Sequence, residues 1–279
     1  LFGDAHQLRV TPSADAALAA AVAERAGQIL LAVRSSMSSS ASSAAAKAKA
    51  MGDEGDRAAH AAIAAALSQA RPGDAILSEE AADDQARLSA HRVWIVDPLD
   101  GTREFSEAGR VDWAVHVALV VGGDLVAGAV ALPALGVTFE TGSPPVPAPR
   151  HEGPPRMMVS RTRPPALAVH VAAGLGAETV PLGSAGAKAM AVVRGEAEIY
   201  LHAGGQYEWD SAAPVAVATA AGLHTSRVDG SPLRYNQPDP WLPDLLICRP
   251  ELAEAVIAAA SAAAASAQAA ASAAAAAPT

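Results

Sequence analysis

Apolar side chains along the first third of the chain recur at helical spacing. Leu18, Val22, Ile29, Leu30 and Val33 fall on one face and predict a helix over about 12–34, with Thr11 as its N-cap and Pro12 at the first helical position. Residues 35–50 are serine, alanine and lysine with little to bury, which reads as a mobile loop. A second helix is expected after Asp56, with Ile63 and Leu67 on its buried face and Pro72-Gly73 beyond its end. The period then changes. Residues 75–78 and 93–97 are short, nearly continuous apolar runs of the kind found in strands buried on both faces. Residues 113–121 and 124–132 flank Gly122-Gly123 and predict a β-hairpin, and 137–140 a further strand.

Six prolines between Ser143 and Pro155 mark the sharpest break in composition. They suggest an N-terminal half over 1–142, a connection over 143–155, and a C-terminal half over 156–252. In the second half, strands are expected at 157–159, 179–182, 197–201, 223–228 and 245–248, and helices near 165–174, 186–194 and 211–221. From 253 to 279 the chain is almost wholly alanine and serine, which favours a terminal helix or tail. That segment is interrupted by Ser261, Ser266, Gln268 and Ser272 and lacks bulky side chains, so no membrane span is expected there.

Composition narrows the partners. The chain has 279 residues, 51% of them hydrophobic, enough for a large core or two smaller ones. A net charge of −9 argues against binding the backbone of nucleic acids. Cys248, the one cysteine, lies in an apolar run, so no intrachain disulfide framework exists and a reducing cytoplasm is the expected compartment. The first residues show no basic start followed by an apolar core, so no secretory signal is expected there.

Chemistry concentrates where apolar runs end in acid. The run 93–96 stops at Asp97-Pro98-Leu99-Asp100-Gly101-Thr102, and because Pro98 cannot donate to a ladder, the strand is expected to end at Asp97. Such a sequence is also an ordinary polar turn. Read as a site, it aims two carboxylates at one volume, where a hard cation such as Mg²⁺ would offset their repulsion. Gly101 would let the backbone come close to a ligand, so that the amides of Gly101 and Thr102 could hold a phosphate oxygen. Upstream, 75–78 ends at Glu79-Glu80; downstream, Glu208-Trp209-Asp210 opens an alanine-rich helix after a glycine-containing loop. Asp210 is equally a good N-cap, and both readings are compatible. The eight histidines and single cysteine form no His-Glu-x-x-His or paired-cysteine zinc pattern, and Gly183-Ser184-Ala185-Gly186 is neither a nucleophile elbow nor a Walker loop.

In this order, Leu77-Ser78-Glu79-Glu80, Asp97-Pro98-Leu99-Asp100-Gly101-Thr102 and Trp209-Asp210 resemble the signature of the inositol monophosphatase superfamily over roughly 13–250. The resemblance implies an α/β fold, a layered α-β-α-β-α sandwich of the inositol monophosphatase and fructose-1,6-bisphosphatase type. It implies a Mg²⁺-dependent, Li⁺-sensitive phosphomonoesterase with two or three ions per site. The metal ligands would be Glu79, Asp97, the Leu99 carbonyl, Asp100 and Asp210. Thr102 and Asp56 would orient the attacking water together with Glu79. Most ligands would then belong to the N-terminal half.

Arg103-Glu104-Phe105, Val159-Ser160-Arg161, the segment 183–188 and 233–236 resemble the 3′-phosphoadenosine-5′-phosphate phosphatases within that superfamily, the CysQ-like branch. Thr162-Arg163 departs from the branch, which often has a histidine there, and 183–188 is one residue longer than the common pattern. By the resemblance, Gly101, Thr102, Arg103, Ser160, Ser184, Lys188 and Glu208 would contact substrate. Lys188 has a plain alternative as a solvated helical lysine, and the favourable place for an anion is the helix start it follows. The expected partner is a small phosphorylated molecule, with no nucleic acid and no membrane, and a homodimer as candidate assembly. Inositol 1-phosphate and fructose 1,6-bisphosphate are the alternative substrates, and a non-catalytic metal or nucleotide binder is the alternative of another class. Phosphate monoesters hydrolyse so slowly that a general base, at about 10²–10⁴-fold, is insufficient, which favours a dense carboxylate set able to hold metal.

Overall fold

The computed structural model describes residues 14–37 and 43–275, the last helix by its backbone alone from 267. The Thr11-Pro12 cap lies outside the described residues. Helices α1 (Ala14–Met37) and α2 (Ala44–Ala70) precede a first five-stranded sheet in the order β1 (Ala75–Ser78), β2 (Arg92–Asp100), β3 (Ala114–Val121), β4 (Asp124–Leu132), β5 (Val137–Glu140). β1 and β2 are parallel, and the remaining neighbours antiparallel. The short helix α3 (Thr102–Ser106) follows β2. A second sheet has the order β7 (Glu178–Leu182), β6 (Arg156–Ser160), β8 (Ile199–Tyr207), β10 (Trp241–Cys248), β9 (His224–Ser226). Its helices are α4 (Ala166–Leu175), α5 (Ala185–Val193), α6 (Glu208–Ala220) and α7 (Ala253–Ala275).

Alternation along the central strands explains the layers. On β2, Trp94 and Val96 join the core beneath α1 and α2, whereas Val93 and Ile95 join the core around α5 and α6. β3 divides likewise, with Val115, Val117 and Leu119 on one face and Ala114, Ala118 and Val120 on the other. Both faces of the strand pair are therefore covered, which its unbroken apolar composition requires. α5 and α6 lie between the sheets, and α4 and α7 cover the far side of the second sheet over a third core. The result is α-β-α-β-α. α1 is apolar and long enough to cross a membrane, but its Ala19, Ala23, Ala26 and Leu30 are completely buried in the core over the first sheet.

Three expectations are corrected. Within 35–50 the described residues are largely helical: α1 runs to Met37 and α2 starts at Ala44, with Ser43 Oγ accepting the Ala46 amide at 3.4 Å, while 38–42 lie outside the described residues. Alanine's helix propensity outweighs the lack of an apolar stripe, and Asp56 consequently sits mid-helix in α2. β2 does not stop at Asp97. It continues through Pro98 to Asp100, with its register against β3 shifted between Asp97 and Asp100, an irregularity that accommodates a residue with no amide hydrogen. The glycine-containing segment after Leu201 is not a loop, because β8 extends through Gly204 and Gly205 to Tyr207.

Candidate active site

The irregular end of β2 delivers the first carboxylates. Asp97 and Asp100 are buried, and Leu99 N donates to Asp97 Oδ1 at 3.0 Å. Gly101 turns the chain with φ +87°, a left-handed value that side chains disfavour, and any Cβ there would lie 2.8 Å from Ser184 Cβ. Thr102 then starts α3, and its hydroxyl donates to the Leu99 carbonyl at 3.3 Å.

The third carboxylate comes from the other sheet's helix. Asp210 lies in the first turn of α6, where its Oδ2 accepts the Tyr207 amide at 2.6 Å. One oxygen each from Asp97, Asp100 and Asp210 lie within 4.8 Å of one another. Glu79, just past the end of β1, lies close enough to Asp97, Asp100 and Asp210 to repel their charge and reaches the cluster from its solvent-facing rim. Asp56 approaches from α2. That helix packs closely on the β2–α3 turn because Gly52 and Gly55 have no side chains: a Cβ at Gly52 would lie 2.6 Å from Thr102 Cγ2, and one at Gly55 2.9 Å from Phe105.

This crowding sets the electrostatics. Burial, reinforced by Glu80, Glu79 and Asp53, raises the Asp56 carboxyl to about 7. Burial and Asp210 lead the causes that raise Glu79 to about 7, and burial with Asp100 raises Asp210 to about 6. Asp97 is driven well above the carboxylate range by burial and by Glu79. Asp100 is the exception. Burial opposes its charge, but His116, the Gly186 amide and Lys188 outweigh it and hold the carboxyl below its ordinary value. All five groups offer oxygen, and their repulsion calls for cationic compensation, so the donor set fits a hard divalent ion.

The substrate-side expectations fare differently. The start of α5 is not open to an anion, since Ala185 N and Gly186 N donate to the two oxygens of Asp100 at 3.1 and 2.6 Å. Ser184 caps the same helix by accepting the Ala187 amide at 3.0 Å. Lys188 is not a solvated lysine: it is buried, and Nζ donates to the carbonyls of Gly183 and Ser184. Glu208 is buried too, and its carboxylate accepts the amides of Asn236 and Gln237 at 2.6 and 2.8 Å, which makes it a clamp on that loop. Gly101, Thr102, Arg103, Ser160 and Ser184 line one cavity of about 280 Å³ with Arg161 and Arg163. Arg161 is occupied by Glu104 and Glu107, at 2.6 and 2.9 Å.

Sequence reasoning missed His116. It lies on β3 directly opposite Asp97 and is fully buried, with Nδ1 3.0 Å from the Trp209 carbonyl and Nε2 3.2 Å from Asp100 Oδ2. Burial would lower its pKa, but Asp100 leads the effects that raise it. A histidine in the otherwise apolar run 113–121 was the available signal, and its meaning comes only from the pairing of β3 with β2, where it faces Asp97.

The sequence profile of the inositol monophosphatase family matches residues 12–143 and 156–266. The chain belongs to that family. Within it, the chain is 51% identical over 255 residues to a 3′-phosphoadenosine 5′-phosphate phosphatase of Mycobacterium leprae, covering 87% of this chain and 92% of that protein. It is 33% identical over 199 residues to the 3′(2′),5′-bisphosphate nucleotidase CysQ of Escherichia coli K12, covering 67% and 80%. Among solved inositol monophosphatase family structures, CysQ from Bacteroides thetaiotaomicron superposes with a TM-score of 0.71 at 26% identity, over 84% of this chain and 97% of that one. The extragenic suppressor protein SuhB of Bartonella henselae superposes with a TM-score of 0.69 at 22% identity, over 89% and 99%, a likeness of fold.

Proposed function

We propose that this protein is a Mg²⁺-dependent phosphatase that hydrolyses the 3′-phosphate of 3′-phosphoadenosine 5′-phosphate to AMP and inorganic phosphate. The observation that carries the reading is 51% identity, over nearly the whole of both chains, to a phosphatase of that substrate. The convergence of Asp97, Asp100 and Asp210 supplies the matching chemistry.

Glu79, Asp97, Asp100, Asp210 and the Leu99 carbonyl would hold the metal. When bound, Mg²⁺ would supply Lewis-acid stabilisation of the phosphoryl oxygens and make water a stronger nucleophile. Asp56 and Glu79 would orient the attacking water together with Thr102, whose methyl packs on the same helix at Gly52. The amides of Gly101 and Thr102 would donate to a phosphoryl oxygen, and the leaving AMP would occupy the cavity edged by Arg103, Ser160 and Ser184. Li⁺ would inhibit by competing for the same oxygens. A cytoplasmic location fits the single buried thiol, Cys248, which burial pushes up to about 12.

The test is phosphate release with Mg²⁺ at pH 8, comparing 3′-phosphoadenosine 5′-phosphate, inositol 1-phosphate and fructose 1,6-bisphosphate by kcat/KM. A tenfold or greater preference for the nucleotide, about 1.4 kcal/mol of transition-state discrimination, is expected. A preference for inositol 1-phosphate would overturn the substrate, and no release from any of the three would overturn the enzyme.

A further inference from the structure

His116 touches both halves of the carboxylate cluster at once. From β3 its Nε2 approaches Asp100 Oδ2 at 3.2 Å, off the line of a straight hydrogen bond, while Nδ1 meets the carbonyl of Trp209 at 3.0 Å. Nδ1 also lies 4.0 Å from Asp97 Oδ2. Trp209 immediately precedes Asp210, so one imaginary line through the ring runs from the acid at the end of β2 to the acid at the start of α6. The ring has been given room: a Cβ on Gly186 would collide with Nε2, and the glycine there also brings its amide to Asp100 at 2.6 Å. The side chain has zero exposure, so it does not meet a substrate itself.

We propose that His116 is a positioning residue for the metal site, fixing the separation between the β2 carboxylates and Asp210 before the cation arrives. The proposal rests on the reading that these carboxylates hold a divalent ion. Ligands from two different layers must otherwise find their spacing at the moment of binding, and partners that orient metal ligands typically affect affinity 10–100-fold. The two ring nitrogens can be separated by substitution. Asparagine places its amide near the Nδ1 position and keeps the Trp209 contact, glutamine places its amide near Nε2 and keeps the Asp100 contact, and neither spans both.

The experiment is Mg²⁺ titration calorimetry on the metal-stripped parent, H116N, H116Q and H116A, each checked for cooperative unfolding, followed by the Mg²⁺ dependence of phosphate release. We expect Mg²⁺ affinity to fall about 10–100-fold in H116A, less in the two amide variants, with a matching rise in half-activating Mg²⁺. The substrate KM at saturating Mg²⁺ should stay within twofold, a split that a general loosening of the core would not produce. If H116A does not fold, H116N and H116Q decide. Folded variants whose Mg²⁺ affinity lies within twofold of the parent would overturn the role of His116 and leave the metal reading standing. A parent protein that binds no Mg²⁺ would overturn both.

Discussion

Replacing Asp56 by asparagine should stabilise the metal-free protein at neutral pH while abolishing turnover. In the folded chain the Asp56 carboxyl rises from 3.8 to about 7 through burial and the charges of Glu80, Glu79 and Asp53. Between those two values the folded state binds a proton that the unfolded state has released, so stability falls as pH rises and the loss is complete above about 7. A displacement of that size corresponds to about 4 kcal/mol. Partial solvent access and the repulsion shared with Glu79 reduce it, and about 2 kcal/mol is a working value. For a chain of this length that is roughly 4–8 °C in Tm. The assay is thermal unfolding of parent and Asp56→Asn in EDTA at pH 4.5 and 7.5. The variant should melt higher than the parent at pH 7.5, with a smaller difference at pH 4.5, where the folded carboxyl is neutral and only the first part of the window has been crossed. Saturating Mg²⁺ should shrink the gap by neutralising the parent's cluster. Acids held low, such as Asp15, Asp83 and Glu198, contribute stability that is lost only as pH falls below the ordinary carboxylate range, outside this window. A variant that melts no higher than the parent at pH 7.5, or equally higher at both pH values, would refute the account.

Asp97→Asn should lower phosphate release at least about 100-fold with the fold retained, since it removes a central oxygen donor; circular dichroism with a phosphate assay separates the two effects. Gly101→Ala forces a side chain into a φ of +87° and against Ser184, and should cost about 1–2 kcal/mol in urea denaturation as well as activity. Arg87→Ala should destabilise by about 3 kcal/mol, because the buried guanidinium binds Asp83, Asn236 and the Gln237 carbonyl and ties the 236–237 loop to the first half.

Motifs that chemistry places at strand and helix ends were legible from sequence, because the change from apolar run to acid is local. The hairpin at Gly122-Gly123 and the strand at 137–140 were legible for the same reason. What could not be read was non-local. Nothing near Lys188 reveals that its ammonium closes on Gly183 and Ser184 carbonyls, nor does anything near Glu208 announce the amides of Asn236 and Gln237. His116 was hidden because a histidine in an apolar strand gains meaning only from the strand opposite. The stretch 44–50 misled because alanine and lysine are compatible with either a loop or a helix, and Ser43's capping of α2 decided between them.

α6 carries one acid of the cluster, yet it packs chiefly on β4, β3 and β2 of the first sheet, with Gly128 admitting Ala216 at close range. The chain therefore cannot be cut at its proline-rich connection into two working pieces. A fragment ending near 142 would keep Asp97 and Asp100 but leave a trough where α6 lay, and a fragment beginning near 156 would carry Asp210 on a helix stripped of its bed. Mixed together, such fragments would regain activity only by docking, so their complementation would report directly on how tightly α6 seats in that trough.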